Sequence, residues 1–247
     1  MADTPHIVRA YERELQQLRD LVTAMGGVVE NQLALAAEAL ATGSTETATS
    51  AIEQDGQVDE MERQAEQMVI RVLALRQPMA ADLRQIVATL KIIGGLERIG
   101  DYAKNVAKRS MVLAQSTLPV RASGIVHMTR LVQANLKLTM DAFGEGDAGK
   151  AVQVWVADQQ VDDLYDTLFR ELVTYMMEDP RNITACTHLL FVAKNLERVG
   201  DHSTNIAETI HYAVTGESLP GARPKGSTVS SYDLLRPSRD GAAGQGS

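Results

Sequence analysis

Apolar residues recur at steps of three and four along most of this chain. In the first segment Ile7, Tyr11, Leu15, Leu18, Val22, Met25, Val29, Leu33, Ala36 and Leu40 follow that rhythm. At 3.6 residues per turn they line one face of a long amphipathic helix. Gly26 and Gly27 interrupt the stripe, each costing about 1 kcal/mol relative to Ala in a helix. Helix breakers fall at 43–45 (GST), Pro78, 116–119 (STLP), 144–147 (GEGD), Pro180 and Gly216, and they cut the body into six helices. The pattern predicts an all-α fold of two tandem three-helix bundles with long antiparallel helices. The first spans residues 1–117 and the second 118–217, with the boundary near Thr117 to Val120. Beyond Ser218 the periodicity stops, and residues 218–247 are rich in Gly, Ser, Pro and Ala, which predicts a disordered tail. Its SYDLLRP island at 231–237 reads either as a docking segment or as a chance apolar cluster.

The two bundles are copies of one another. Residues 96–107 read LERIGDYAKNVA and residues 196–207 read LERVGDHSTNIA; upstream, residues 25–59 align without a gap with 128–162. Such internal self-similarity marks a duplicated unit. The duplication kept Glu97, Asp101 and Asn105 with their partners Glu197, Asp201 and Asn205, at steps of four that stack on one helix face. It also kept Asp55 and Asp59 with their partners Asp158 and Asp162. In an antiparallel hairpin, residues equidistant from the turn face each other. Asp55 with Asp101 and Asp59 with Glu97 are both centred on residue 78, which is Pro78. Asp158 with Asp201 and Asp162 with Glu197 are both centred between Asp179 and Pro180. Each repeat is therefore expected to bring four carboxylates to one patch.

Four such groups repel one another, and like charges at i, i+4 already cost a few tenths of a kcal/mol per pair. Arg98 and Arg198 adjoin the ladders but lie one residue along the helix, about 100° away. A bound cation is the better counterweight, and carboxylates with an amide oxygen form a hard donor set suited to Mg, Mn, Ca or ferric iron. Gly100 and Gly200 suggest close backbone approach beside each ladder. The plainer reading is a solvated acidic face, with the arginines in surface ion pairs and the asparagines bonded to a neighbouring helix. His6, His127, His188 and His202 form no ligand pattern, and Glu208 with His211 makes a solitary ExxH whose counterpart in the first repeat begins at Lys108.

Composition narrows the setting. A chain of 247 residues with 45% hydrophobic content can bury a substantial core and suits two domains of roughly 100 to 110 residues, with aliphatic side chains filling the interior because aromatics are scarce. A net charge of -8 argues against nucleic acid as the main partner. No apolar run approaches the length of a membrane span, the N-terminus lacks a signal-like stretch, and the cytoplasm is the expected location. Cys186 is the single cysteine, expected in the core.

Two tandem three-helix units, each with two acid-x-x-x-Asp patterns and a third helix reading LERxGDxxxNxA, resemble the PhoU family of phosphate-signalling proteins over roughly residues 5 to 215. The resemblance implies a cytoplasmic accessory protein of the high-affinity phosphate transport system. Such a protein restrains the phosphate-starvation response and communicates between the ABC transporter, through its ATPase, and a membrane sensor histidine kinase. It reaches the membrane only through those partners. It further implies a homodimer, no catalytic activity, and multinuclear metal clusters (Fe, Mn, Mg or Zn) on Asp55, Asp59, Glu97, Asp101, Asp158, Asp162, Glu197 and Asp201, with Asn105 and Asn205 as additional ligands. The rival expectation is a metal-dependent hydrolase or oxidase using the same carboxylates; the sequence offers no nucleophile constellation and no paired ExxH for it.

Overall fold

The computed structural model describes residues 4–115 and 123–219. Within them the chain is helical almost throughout: α1 (Thr4–Thr42), α2 (Thr45–Glu53), α3 (Asp55–Arg76), α4 (Ala80–Leu113), α5 (Ser123–Glu145), α6 (Ala148–Glu178), a 3-10 turn (Pro180–Asn182) and α7 (Ile183–Thr215). The expected boundary near Thr117 to Val120 and the tail from 220 onward, with its 231–237 island, lie outside the described residues.

The breakers act where the sequence places them. Gly43 and Gly146 occupy the same place in the two repeats, and both turn with positive φ, 72° and 65°, a conformation that glycine adopts without a Cβ clash. The next residue caps the following helix in each case. Ser44 accepts a hydrogen bond from the Thr47 amide at 3.1 Å, and Asp147 accepts from the amides of Gly149 and Lys150 at 2.7 and 3.1 Å. These bonds satisfy N–H groups the helix itself leaves open. Pro78 lies in the turn between α3 and α4, and Pro180 opens the 3-10 turn between α6 and α7, as the hairpin centres require.

One arm differs from expectation. The middle arm of the first repeat is divided at Gln54 into α2 and α3, whereas α6 runs unbroken. Gly56 stands two residues past the break where the second repeat has Gln159, and a helix-interior glycine weakens the helix by about 1 kcal/mol. Asp55 consequently begins α3 instead of sitting mid-helix.

α1 packs against α2, α3 and α4, and α5, α6 and α7 pack mutually. The bundles join through α4 against α7, the most extensive helix pair, and through α1 against α5. α4 and α7 run antiparallel: Arg84 stacks on Tyr212 at one end and Arg109 on Phe191 at the other. Because α4 and α7 are repeat equivalents, their crossing is pseudo-twofold. Gly95 sits at this contact, where an added Cβ would lie 2.7 Å from Ile206 Cγ1. A single apolar core runs through both bundles and includes Leu33, Ile99, Leu136, Val199 and Cys186, all within 1% of full burial. Among the described residues no helix is long and apolar enough to cross a membrane.

Candidate metal centres

Asp55 of α3 and Asp101 of α4 come together as the hairpin geometry requires, and a lysine stands between them. Lys104 Nζ lies 2.6 Å from Asp55 Oδ2 and 2.6 Å from Asp101 Oδ1. It is three residues past Asp101, one helical turn along, so a single ammonium spans the facing pair. Burial works against its charge, but the hydrogen bonds to Asp101 and Asp55 outweigh that and raise its pKa above the ordinary lysine value. Lower on the same patch, among the described residues, Glu97 has no lysine beside it, only Arg98 at 3.6 Å. Burial first, then the carboxylates of Asp101 and Glu62, push its pKa up to about 7. Glu62, one turn beyond Asp59, is itself raised by burial and by Glu66 and Asp59. It belongs to this patch although the repeat comparison does not reveal it, because its counterpart is Tyr165; its i+3 spacing from Asp59 is the signal that does. Asp59 is solvent-exposed.

The second patch has the same carboxylates and a different counter-ion. Asp162 is raised to about 6 by burial first, then by Asp201, Glu197 and Asp166. Lys194, one turn before Glu197, bonds its Oε1 at 2.7 Å and lies 5.1 Å from the centre of the Tyr165 ring, an attractive cation–π distance. Lys194 has Gly94 as its repeat counterpart, and Lys104 has Thr204. The duplication thus preserved the acids while each copy carries its own lysine at a different height. Asp158 is 1% exposed, and Gly200 makes room for it: an added Cβ would stand 2.8 Å from Asp158 Oδ1. In the first repeat a Cβ added at the equivalent Gly100 would lie 3.0 Å from Gln32 Oε1.

The remaining candidates disperse. Asn105 lines a cavity between α4 and α7 with Lys108, Arg109, Val112 and Asn195. Asn205 is exposed on α7. Arg98 reaches Glu97 only at 3.6 Å and is 61% exposed. Arg198 turns away from its ladder to the other bundle, 3.4 Å from the Tyr102 hydroxyl. Glu208 accepts a hydrogen bond from Trp155 Nε1 at 3.0 Å and His211 Nδ1 donates to the Glu217 carbonyl at 3.0 Å, so the ExxH pair serves two unrelated contacts. His202 packs beside Tyr102, with ring centres 5.6 Å apart, and burial followed by Arg98 and Arg198 lowers its pKa.

Whether these patches suit a metal turns on the donor set and on what already occupies it. Among the described residues no three Asp, Glu, His or Cys side chains converge as a preformed cage. The chemistry nonetheless fits a hard cation: all donors are carboxylate oxygens, and the Lys104 ammonium is a stand-in cation seated between two of them. A metal ion would have to displace it.

The comparisons with known proteins converge on one family. The PhoU domain matches the chain twice, over residues 22–110 and 125–210. A phosphate-specific transport system accessory protein PhoU homologue of Caulobacter vibrioides is 48% identical over 223 residues, covering 90% of this chain and 97% of its own. Its counterpart in Rhizobium meliloti is 46% identical over 89% of this chain and 93% of its own. The crystal structure of PhoU from Pseudomonas aeruginosa superposes with a TM-score of 0.82 at 41% identity, over 84% of this chain and all of that one. That of the phosphate transport system regulatory protein PhoU from Streptococcus pneumoniae gives 0.79 at 28% identity, over 85% of this chain and all of that one.

Proposed function

The chain belongs to the PhoU family, and from that premise we propose that it is a non-enzymatic negative regulator of the phosphate-starvation response and of high-affinity phosphate uptake. The family's accessory role in phosphate transport is the broader frame. The observation that carries the reading is the match to the Caulobacter relative over nearly its whole length, so that both bundles are shared and not one isolated motif. The partners are the phosphate transporter ATPase and the sensor histidine kinase, contacted in the cytoplasm by a homodimer that reaches the membrane only through them. An acidic chain of net charge -8 favours basic surfaces on those partners. The complexes accordingly weaken with salt, as exposed charges are screened over about 8–10 Å.

The acidic patches are the metal sites of this reading, for Fe, Mn, Mg or Zn. Asp55, Asp59, Glu97 and Asp101 would hold ions in the first bundle, and Asp158, Asp162, Glu197 and Asp201 in the second. A multivalent cation there offsets the burial and the mutual repulsion that raise Glu97 and Asp162 and ties each middle arm to its third helix. Support comes from the lysine already acting as a cation in the first patch.

Deletion of the gene tests the regulatory reading. Starvation genes should switch on in phosphate-rich medium and fall silent again when the gene is restored. A deletion strain that keeps them silent in phosphate-rich medium, with no second copy to compensate, overturns it.

A further inference from the structure

The cavity that Asn105 lines has a chemistry of its own. It lies between α4 and α7, has a volume of about 350 Å³, and is lined by Asn105, Lys108, Arg109, Val112 and Asn195. Two cations and two amides face it, and no carboxylate lines it, in a chain that is acidic overall. The guanidinium of Arg109 is held in place without an acid. It donates to His188 Nδ1 at 3.1 Å and lies 4.4 Å from the centre of the Phe191 ring. Among the described residues neither Lys108 nor Arg109 forms an ion pair with a carboxylate. Asn195 is oriented in turn by donating one Nδ2 hydrogen to the Phe191 carbonyl at 2.6 Å, which leaves its second hydrogen for a ligand.

The duplication supplies an internal control. Across the pseudo-twofold crossing of α4 and α7, Lys108 and Arg109 correspond to Glu208 and Thr209, and His188 corresponds to Ala88. The opposite end of the same helix pair also holds two cations, Arg84 and Lys91, but carries Glu208 and Thr209 among them, whereas among the described residues no acid lines this end. Nor does the helix dipole account for the charges, since its influence is confined to the last turn and the last turn of α4 has no basic residue. A planar guanidinium fixed by a ring face and an imidazole, beside an ammonium and amide donors, suits an anion whose oxygens each accept several hydrogen bonds.

We propose that this cavity binds a tetrahedral oxyanion, either inorganic phosphate or the phosphate group of a monoester, on Arg109, Lys108, Asn105 and Asn195. It gives the protein a phosphate input separate from the metal patches, a significance that rests on the proposed function although the binding does not. Titration of the full chain with inorganic phosphate, after treatment with chelator, should show one saturable site per chain by calorimetry. A parallel titration with a simple phosphomonoester separates the two sources, the tighter ligand marking the natural one. The double variant K108E/R109T, which installs the residues the second repeat carries there, should weaken binding at least tenfold with an unchanged circular dichroism spectrum. Should it unfold, R109K, which keeps the charge and loses the planar fork, should still weaken binding several-fold. Saturable binding that both variants leave unchanged overturns the site, as does no binding of either ligand to the wild type. Phosphate binding lost in the variants of a protein whose deletion leaves starvation genes silent would keep the site and remove the regulatory reading.

Discussion

Lys104 on α4 reaches Asp55 at the start of α3 across 2.6 Å while holding Asp101 of its own helix at the same distance. A pair identified in the sequence by its symmetry about Pro78 is thus bridged by a side chain that the symmetry does not contain. The Lys104 side chain has one-fifth of its surface exposed, between a surface ion pair and a buried one.

Removal of that charge leaves two carboxylates facing each other. In chelator-treated protein Lys104→Met should destabilise the fold by about 1–3 kcal/mol, above the range for exposed pairs and below that for fully buried ones. Lys104→Arg should recover part of the loss. If metal ions displace the ammonium, the same Met variant binds Mn more tightly than wild type at the first patch. Urea unfolding with and without Mn reads both effects, and equal midpoints for wild type and K104M in chelator would contradict the bridge.

Acidity acts on Glu97 with a definite sign. Its folded pKa is raised to about 7 from an ordinary 4.5, so folding favours the protonated form. The metal-free protein has this contribution fully at pH below about 4.5 and loses it as pH rises through 7. Asp162, raised to about 6, behaves likewise from 3.8 upward. Glu97→Gln should therefore stabilise the metal-free protein at pH 8 by about 1–2 kcal/mol, discounted for partial solvent access, and change little at pH 4. A melting curve series across pH 4 to 8 in chelator checks the crossover.

Two glycines of equivalent helical context should respond in opposite directions. Gly200→Ala puts a Cβ 2.8 Å from Asp158 Oδ1 and 3.3 Å from Val161 Cγ1 and should cost about 1–3 kcal/mol through overpacking. Gly94→Ala meets nothing within 4 Å and should gain about 0.4–1 kcal/mol from a less flexible unfolded chain. Chemical denaturation of the pair distinguishes close approach from a general glycine effect.

Metal content should follow the two patches separately, because sites in different bundles behave nearly independently. After refilling with Fe or Mn, the double variant E97A/D101A should retain the ions of the second patch and lose those of the first. Elemental analysis measures this directly. A wild type that stays metal-free after refilling would remove metal from the proposed function.

The duplication, the helical arms, their turns and the facing of Asp55 with Asp101 were legible in the sequence because each rests on local rules: apolar period, breaker chemistry and equal distance from a turn. Gly100 and Gly200 were legible for the same reason, as glycines retained where a helix would disfavour them. The surroundings of Asn105, which lines a cavity, and the exposure of Asn205 were not. Each fourfold step overshoots a full turn by about 40°, so the third rung of the ladder has rotated toward whatever the helix next meets, and only the packing of α4 on α7 decides what that is. The counter-ions escaped for a related reason: Lys104 and Lys194 stand at heights the duplication does not share, and a flexible four-carbon side chain finds its partner only once two helices are docked. The tertiary structure alone also set the antiparallel crossing of α4 and α7, since helices a hundred residues apart in sequence are brought together by burial of their apolar faces. That crossing places Arg109 against Phe191 and His188 and creates the basic cavity.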